Sequence, residues 1–98
     1  MLTTTAVLDF SRVGHPLAVR GQRKGDTIIP FGHSTQVAVS DFLAEKKVPP
    51  WDRQAVPLVV SPAGIVWAAG VEIDDRFRVS HGTRVVLRLR LLPEARSG

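Results

Sequence analysis

The sequence predicts an α+β fold: a small, mostly antiparallel β assembly with one main helix. Three observations predict it. In residues 83–91, Val85, Leu87, Leu89 and Leu91 fall on one face and Arg84, Val86, Arg88 and Arg90 on the other, the period-two pattern of a strand with one packed side. Two apolar runs, residues 57–60 and 65–68, flank Ser61-Pro62-Ala63-Gly64. Proline suits the second position of a turn and glycine the fourth, so these runs predict a hairpin. Between them and the N-terminal region, Val39, Phe42 and Leu43 share the i, i+3, i+4 stripe of a helix with a buried face.

The remaining elements follow in order. Residues 3–10 alternate, with Ala6, Leu8 and Phe10 on one side, which predicts an edge strand. Gly14-His15-Pro16 makes a turn, residues 17–20 a second strand and residues 21–25 a polar loop. Residues 27–31 form a short extended run broken by Pro30 and Gly32, and the loop 33–36 leads to the helix. Ser40 is placed to cap that helix, its oxygen taking a backbone N–H of the first turn. Asp41 then lies at the positive end of the helix dipole, and Lys46 and Lys47 at the negative end. Pro49 stops the helix at Val48, because a residue before proline avoids the α region. Pro50 starts a second short turn carrying Trp51 and Arg53, and Pro57 ends it. Gly70 allows a bend, after which Val71, Ile73 and Phe77 continue extended structure around Asp74-Asp75. Residues 93–98 read as a frayed tail, and no repeat or linker divides residues 1–98, which predicts a single domain.

Composition sets the outer bounds. A chain of 98 residues, 44% hydrophobic, can bury a modest core. It has no cysteine, so a disulfide framework and a thiolate metal site are excluded. That fits a reducing compartment, and a cytoplasmic location is the expectation. No apolar run reaches membrane-spanning length, and Met1-Leu2-Thr3-Thr4-Thr5 lacks the regions of a signal peptide. No membrane partner is expected. Lys and Arg number 13 against 9 Asp and Glu, a net charge of +4 that permits a nucleic-acid partner without requiring one.

Few residues suggest chemistry. His15, His33 and His81 sit in predicted loops without ligand spacing, and Asp26, Asp74 and Asp75 could complete a metal or acid–base site only in principle. Surface turns are the reading for these. Gly25-Asp26 reads as a loop in which the aspartate bonds local backbone amides, with a phosphate-approaching turn as the alternative. Trp67 belongs to the core. Trp51, after two prolines, reads as a partly buried wedge between turn and sheet, with stacking on a base or ribose as the alternative. The cations fall into three groups: Arg20, Arg23 and Lys24; Lys46, Lys47 and Arg53; and Arg76 and Arg78 with Arg84, Arg88 and Arg90. For the last strand, arginine that blocks edge pairing is a sufficient account.

Several segments carry a family resemblance. Lys47-Val48-Pro49-Pro50-Trp51-Asp52-Arg53, then Val56-Pro57-Leu58-Val59-Val60 and Ile65-Val66-Trp67-Ala68-Ala69-Gly70, resemble the C-terminal domain of bacterial tRNA(Ile)-lysidine synthetases. Its pattern there is V-P-x-W-x-R-x-x-x-P-L-L followed by an I-V-W-x-x-G strand. Arg20 to Asp26 with Pro30-Phe31-Gly32 resembles the family's R-x-x-x-x-G-D-x-x-x-P-x-G segment, and Ile73 to Val79 its I-D-x-R-F-x-V segment. The resemblance covers about residues 17 to 91. It implies a domain like one in the β subunit of phenylalanyl-tRNA synthetase. It also implies an ATP-dependent ligase that adenylylates an anticodon cytidine of an isoleucine tRNA and joins lysine to it. That chemistry belongs to an N-terminal domain with a serine- and glycine-rich phosphate loop. Neither S-G-G-x-D-S nor G-x-x-x-x-G-K-[ST] occurs in this sequence.

The expectation is therefore a non-catalytic module with no catalytic residue, metal or cofactor of its own, ATP being used by a catalytic domain in cis or in trans. The implied partner is tRNA, held at its acceptor stem through Arg20, Arg23, Lys24, Lys46, Lys47 and Arg53. Shape and phosphate contacts would dominate such binding. One departure favours the alternative, a protein-interaction or structural domain of the same fold. Where the family has a lysine-rich K-K-x-K entry to the helix, this chain has Val37-Ala38-Val39-Ser40.

Overall fold

The computed structural model describes residues 4–92. In chain order the elements are β1 (Thr5–Asp9), α1 (Phe10–Val13), β2 (Ala18–Arg20), β3 (Thr27–Ile28), β4 (Val37–Ala38), α2 (Val39–Glu45), β5 (Leu58–Ser61), β6 (Gly64–Ala68), β7 (Glu72–Ile73) and β8 (Val86–Arg90). Two 3₁₀ turns, Pro50–Ala55 and Asp75–Phe77, complete the set. All strand pairs are antiparallel: a central sheet in the order β2-β5-β6-β7, and the two-stranded pairs β1-β8 and β3-β4. This is the predicted α+β architecture. Among the described residues no helix is long and apolar enough to cross a membrane.

The central sheet separates two cores. On one side α2 buries Val39, Phe42 and Leu43 against Ile28, Leu58, Ile65 and Ala68. On the other, β1 and β8 cover Val59, Val66, Trp67 and Phe77 with Ala6 and Leu8. The predicted hairpin is present, with Leu58 opposite Ala68 and Val59 opposite Trp67. Val60 then faces Ile65, so Val66 is the extra residue of a β-bulge. The bulge turns Val66 and Trp67 toward the same core, although they are neighbours in sequence.

Three local expectations are corrected. Phe10 does not continue β1: it is 40% exposed and opens α1. The Asp9 carboxylate accepts from the N–H groups of Ser11 and Arg12 (3.0 and 3.3 Å), which caps a helical turn and ends the strand. Ser40 does not cap α2. The helix begins at Val39, whose N–H donates to the Asp26 carbonyl at 2.9 Å, so a neighbouring segment does what a side-chain cap would. Phe77 lies in the 3₁₀ turn after Asp74 rather than in extended chain. The fully buried Asp74 carboxylate accepts from the N–H groups of Ile29 and Arg76 and from the Arg76 guanidinium (2.9–3.0 Å), which bends the chain there.

The end of α2 is also tighter than predicted. The helix stops at Glu45, and Lys47 adopts a left-handed conformation with φ 64°. The Lys47 N–H donates to Ala44 (3.0 Å) and the Val48 N–H to Leu43 (2.9 Å). These are the paired bonds of a Schellman motif, here with lysine at the position glycine usually holds. Pro49 and Pro50 then force the exit. The predicted strand 83–91 is shorter, and Val85 is exposed. The predicted tail, residues 93–98, lies outside the described residues.

Candidate nucleic-acid interface

The six predicted cations divide into two that are tied into the fold and four that face solvent. Arg20 forms a bidentate pair with Asp26 (2.8 and 3.0 Å) and donates to the Gly21 carbonyl at 2.9 Å. Asp26 also accepts from the Arg23 N–H at 2.8 Å. This paired guanidinium, followed by the Arg23 amide, holds the Asp26 carboxyl below its usual range. The Asp26 side chain is thus a loop clamp, the reading expected for Gly25-Asp26. Arg53 turns inward, its Nε donating to the Val48 carbonyl at 3.0 Å. It ties the 3₁₀ turn to the end of α2.

Arg23, Lys24, Lys46 and Lys47 are exposed. They occupy opposite ends of the 3₁₀ turn. Lys46 and Lys47 precede it, the Lys46 Nζ lying 5.8 Å from the centroid of the Phe42 ring. At the far end the 21–25 loop abuts the turn: a Cβ at Gly21 would sit 3.2 Å from the Gln54 carbonyl oxygen. Six residues of 3₁₀ helix span about 12 Å, so the segments that carry the two exposed pairs adjoin one short rod.

Residues three apart eclipse one another on a 3₁₀ helix, which gives the rod distinct edges. Pro50 and Arg53 share one edge, from which Arg53 reaches inward to Val48. Asp52 and Ala55 line a groove of about 370 Å³ together with Lys46, Lys47, Val56, Gly70, Val71 and Leu91. Trp51 and Gln54 form the third edge, on the side of the 21–25 loop. Trp51 is 81% exposed. The expected partly buried wedge is therefore corrected: the turn is fastened by Arg53, and Trp51 shares its edge with polar Gln54. That i, i+3 pairing was the available sequence signal.

The other charged groups serve the fold. Arg76 pairs with Asp74, and Arg78 with Asp75 at 3.0 Å. Asp75 also accepts from the Gly32 N–H at 3.0 Å. Arg88 and Arg90 stand exposed on β8 opposite Val7 and Thr5. His15, His33 and His81 are exposed, and among the described residues no group of three or more histidine and acidic side chains could hold a metal.

Comparison with known proteins gives a consistent result. Residues 17–91 match the model of the TilS substrate C-terminal domain. The chain is 41% identical over 93 residues to a tRNA(Ile)-lysidine synthase of Symbiobacterium thermophilum, covering 93% of this chain and 19% of that protein. It is 33% identical over 87 residues to a tRNA(Ile)-lysidine synthase of Parabacteroides distasonis, covering 89% and 20%. The chain thus spans about a fifth of the length of these relatives. A solved structure described as a TILS C-terminal domain superposes with a TM-score of 0.71 at 21% identity, covering 95% of this chain and 75% of that one. At that identity the likeness speaks to the fold.

Proposed function

The chain belongs to the TilS substrate C-terminal domain family, and on that premise we propose that it is a non-catalytic tRNA-binding module of a tRNA(Ile)-lysidine synthetase. In this reading it holds the acceptor stem, while a separate catalytic domain uses ATP to join lysine to the anticodon cytidine. The observation that carries the reading is the segregation of cations around the Pro50–Ala55 turn. Arg20 and Arg53 are committed to internal partners, whereas Arg23, Lys24, Lys46 and Lys47 are exposed at its two ends. Exposed cations on neighbouring segments suit the phosphate backbone of a duplex, which is bound by shape and backbone rather than by base edges.

The test is salt-dependent binding. Changing Lys46 and Lys47 together to alanine should weaken tRNA binding and reduce the slope of log K against log salt by about 1–2, because each lost phosphate contact releases about one counterion fewer. Thermal stability should hardly change, since neither side chain is buried. A hairpin mimicking the acceptor stem should compete better than an anticodon hairpin. Arg88 and Arg90 are the control: loss of binding with their removal, and none with the lysine pair, would move the interface to β8.

One observation favours a second reading, a protein-interaction domain. The segment entering α2 is Val37–Ala38, paired with β3, and carries no cation. Affinity for tRNA no higher than that of an unrelated basic protein of equal charge would put this reading ahead.

A further inference from the structure

We propose that Trp51 is a stacking platform for a single unpaired nucleotide at the end of an RNA duplex. The proposal rests on the tRNA-binding reading and adds to it the part of the RNA that touches this residue.

The backbone that carries Trp51 is held on both sides while its ring is left in solvent. Pro49 and Pro50 restrict the backbone ahead of it, the Asp52 N–H donates to the Pro49 carbonyl at 2.9 Å, and Arg53 fastens the turn to Val48 at 3.0 Å. A platform fixed in this way loses little freedom when a ring stacks on it. Its surroundings fit a nucleotide. Trp51 does not line the apolar groove; that groove takes Asp52 and Ala55 from the turn. Three-residue eclipsing sets it on the edge of Gln54, which meets Gly21 of the loop that carries exposed Arg23 and Lys24, while Lys46 and Lys47 precede the turn and line the groove. The carboxylates on α2 and the turn are Asp41, Glu45 and Asp52, the last facing the groove. An exposed aromatic ring on a short turn, with exposed cations on the segments that adjoin the turn, is an arrangement that can bind single-stranded nucleic acid, the cations following phosphates and the ring taking a base.

The same geometry selects an unpaired base. Bases within a duplex are stacked on their neighbours and offer only their edges, so a ring can stack only where a strand continues unpaired or a helix ends. One indole covers one base. Trp51 is the one large apolar side chain exposed on the turn, whereas the core of a protein interface combines several apolar residues.

Fluorescence and affinity test this together. Trp67 is 2% exposed and Trp51 81%, so a ligand that quenches red-shifted emission reports on Trp51. The chain is titrated with an acceptor-stem hairpin bearing a single-stranded 3′ extension and with the same hairpin blunt-ended. The extended hairpin should quench Trp51 and bind about 5- to 150-fold tighter, the range expected for one stacked base. Trp51→Ala should reduce its affinity to that of the blunt hairpin and leave the salt slope unchanged, because no phosphate contact is removed. Trp51→Phe should retain part of the difference. Thermal melting verifies that both variants are folded. Equal affinity of the wild-type chain for the two hairpins, with no effect of Trp51→Ala, would overturn the stacking assignment and leave tRNA binding intact. Weak, charge-only binding of both hairpins would overturn both readings. Equal binding of the two hairpins, combined with loss of association to a separately produced catalytic domain in Trp51→Ala, would make Trp51 a protein contact instead.

Discussion

The two faces of the central sheet are covered in opposite ways. The helix side is closed mainly by the stretch from Val37 to Val71, so most of its core comes from residues near one another in sequence. The strand side is closed by β1 and β8, which pair Thr5 with Arg90 and bring distant parts of the chain together. Cations differ accordingly. On the helix side Arg20 and Arg53 are structural, bonded to Asp26 and to the Val48 carbonyl, while Arg23 and the lysines are exposed. On the strand side Arg88 and Arg90 project from an outer strand beside Val7, where their charge opposes edge-to-edge pairing. The same residue type is thus glue at Arg20, Arg53 and Arg76 and a barrier at Arg88 and Arg90. Counting basic residues could not have distinguished them.

Replacing the anchor of each core tests whether the faces are equal partners. Phe42→Ala should destabilise the domain by about 3–5 kcal/mol and Leu8→Ala by about 2–4 kcal/mol, both read from denaturant unfolding. Each side chain is almost fully buried, and both cores share β5 and β6. Each variant should therefore unfold in one transition. A cost below about 1 kcal/mol for Phe42→Ala would show that the helix face is not an anchor.

Acid should act on both faces through their pinned carboxylates. Asp26, bonded by Arg20, and Asp9, bonded by the Ser11 and Thr83 hydroxyls, are both shifted below their ordinary values. A carboxyl whose folded pKa lies below its unfolded one, about 3.9 for aspartate, stabilises the fold above that pH. The contribution disappears as pH falls through the folded pKa. Asp26→Asn should cost about 1–2 kcal/mol at neutral pH, the size of a lost charge-assisted contact. The gap between variant and wild type should close below about pH 4. Melting temperatures from pH 7 to pH 3 give the answer, and a gap independent of pH would mean that the Arg20 pair contributes nothing.

The smallest expected effect is a gain. Lysine at φ 64° carries a left-handed penalty of about 1–2 kcal/mol, while glycine there loses about 0.5–1 kcal/mol in chain entropy. Lys47→Gly should thus stabilise by about 0.5–1 kcal/mol, seen as a higher melting temperature. A fall in melting temperature would mean that the Lys47 side chain contributes packing not evident from its exposure.

What the sequence revealed was whatever a single segment determines. The alternation around Leu87 and Leu89, the Ser61–Gly64 turn and the Val39–Phe42–Leu43 stripe are local patterns, and the fold contains them. What it concealed depends on distant partners. Ser40 looked like a cap, but Asp26, far along the chain, already accepts the Val39 N–H. The Val66 bulge breaks a two-residue period that pattern reading assumes. Arg20 and Arg53 looked equivalent to Lys46 and Lys47 until their acceptors were visible. Trp51 differs for the opposite reason: its place after two prolines suggests a partly buried wedge, whereas the three-residue repeat of its turn sets it on the edge of Gln54, in solvent.

The β1–β8 pairing has a topological consequence. With Thr5 opposite Arg90, the described chain enters and leaves at the same place, about 5 Å apart. Such a domain is nearly a closed ring. It can be spliced into a loop of another protein, or its ends can be joined by a short peptide and new ones opened in the exposed 33–36 segment, without undoing a strand of the central sheet.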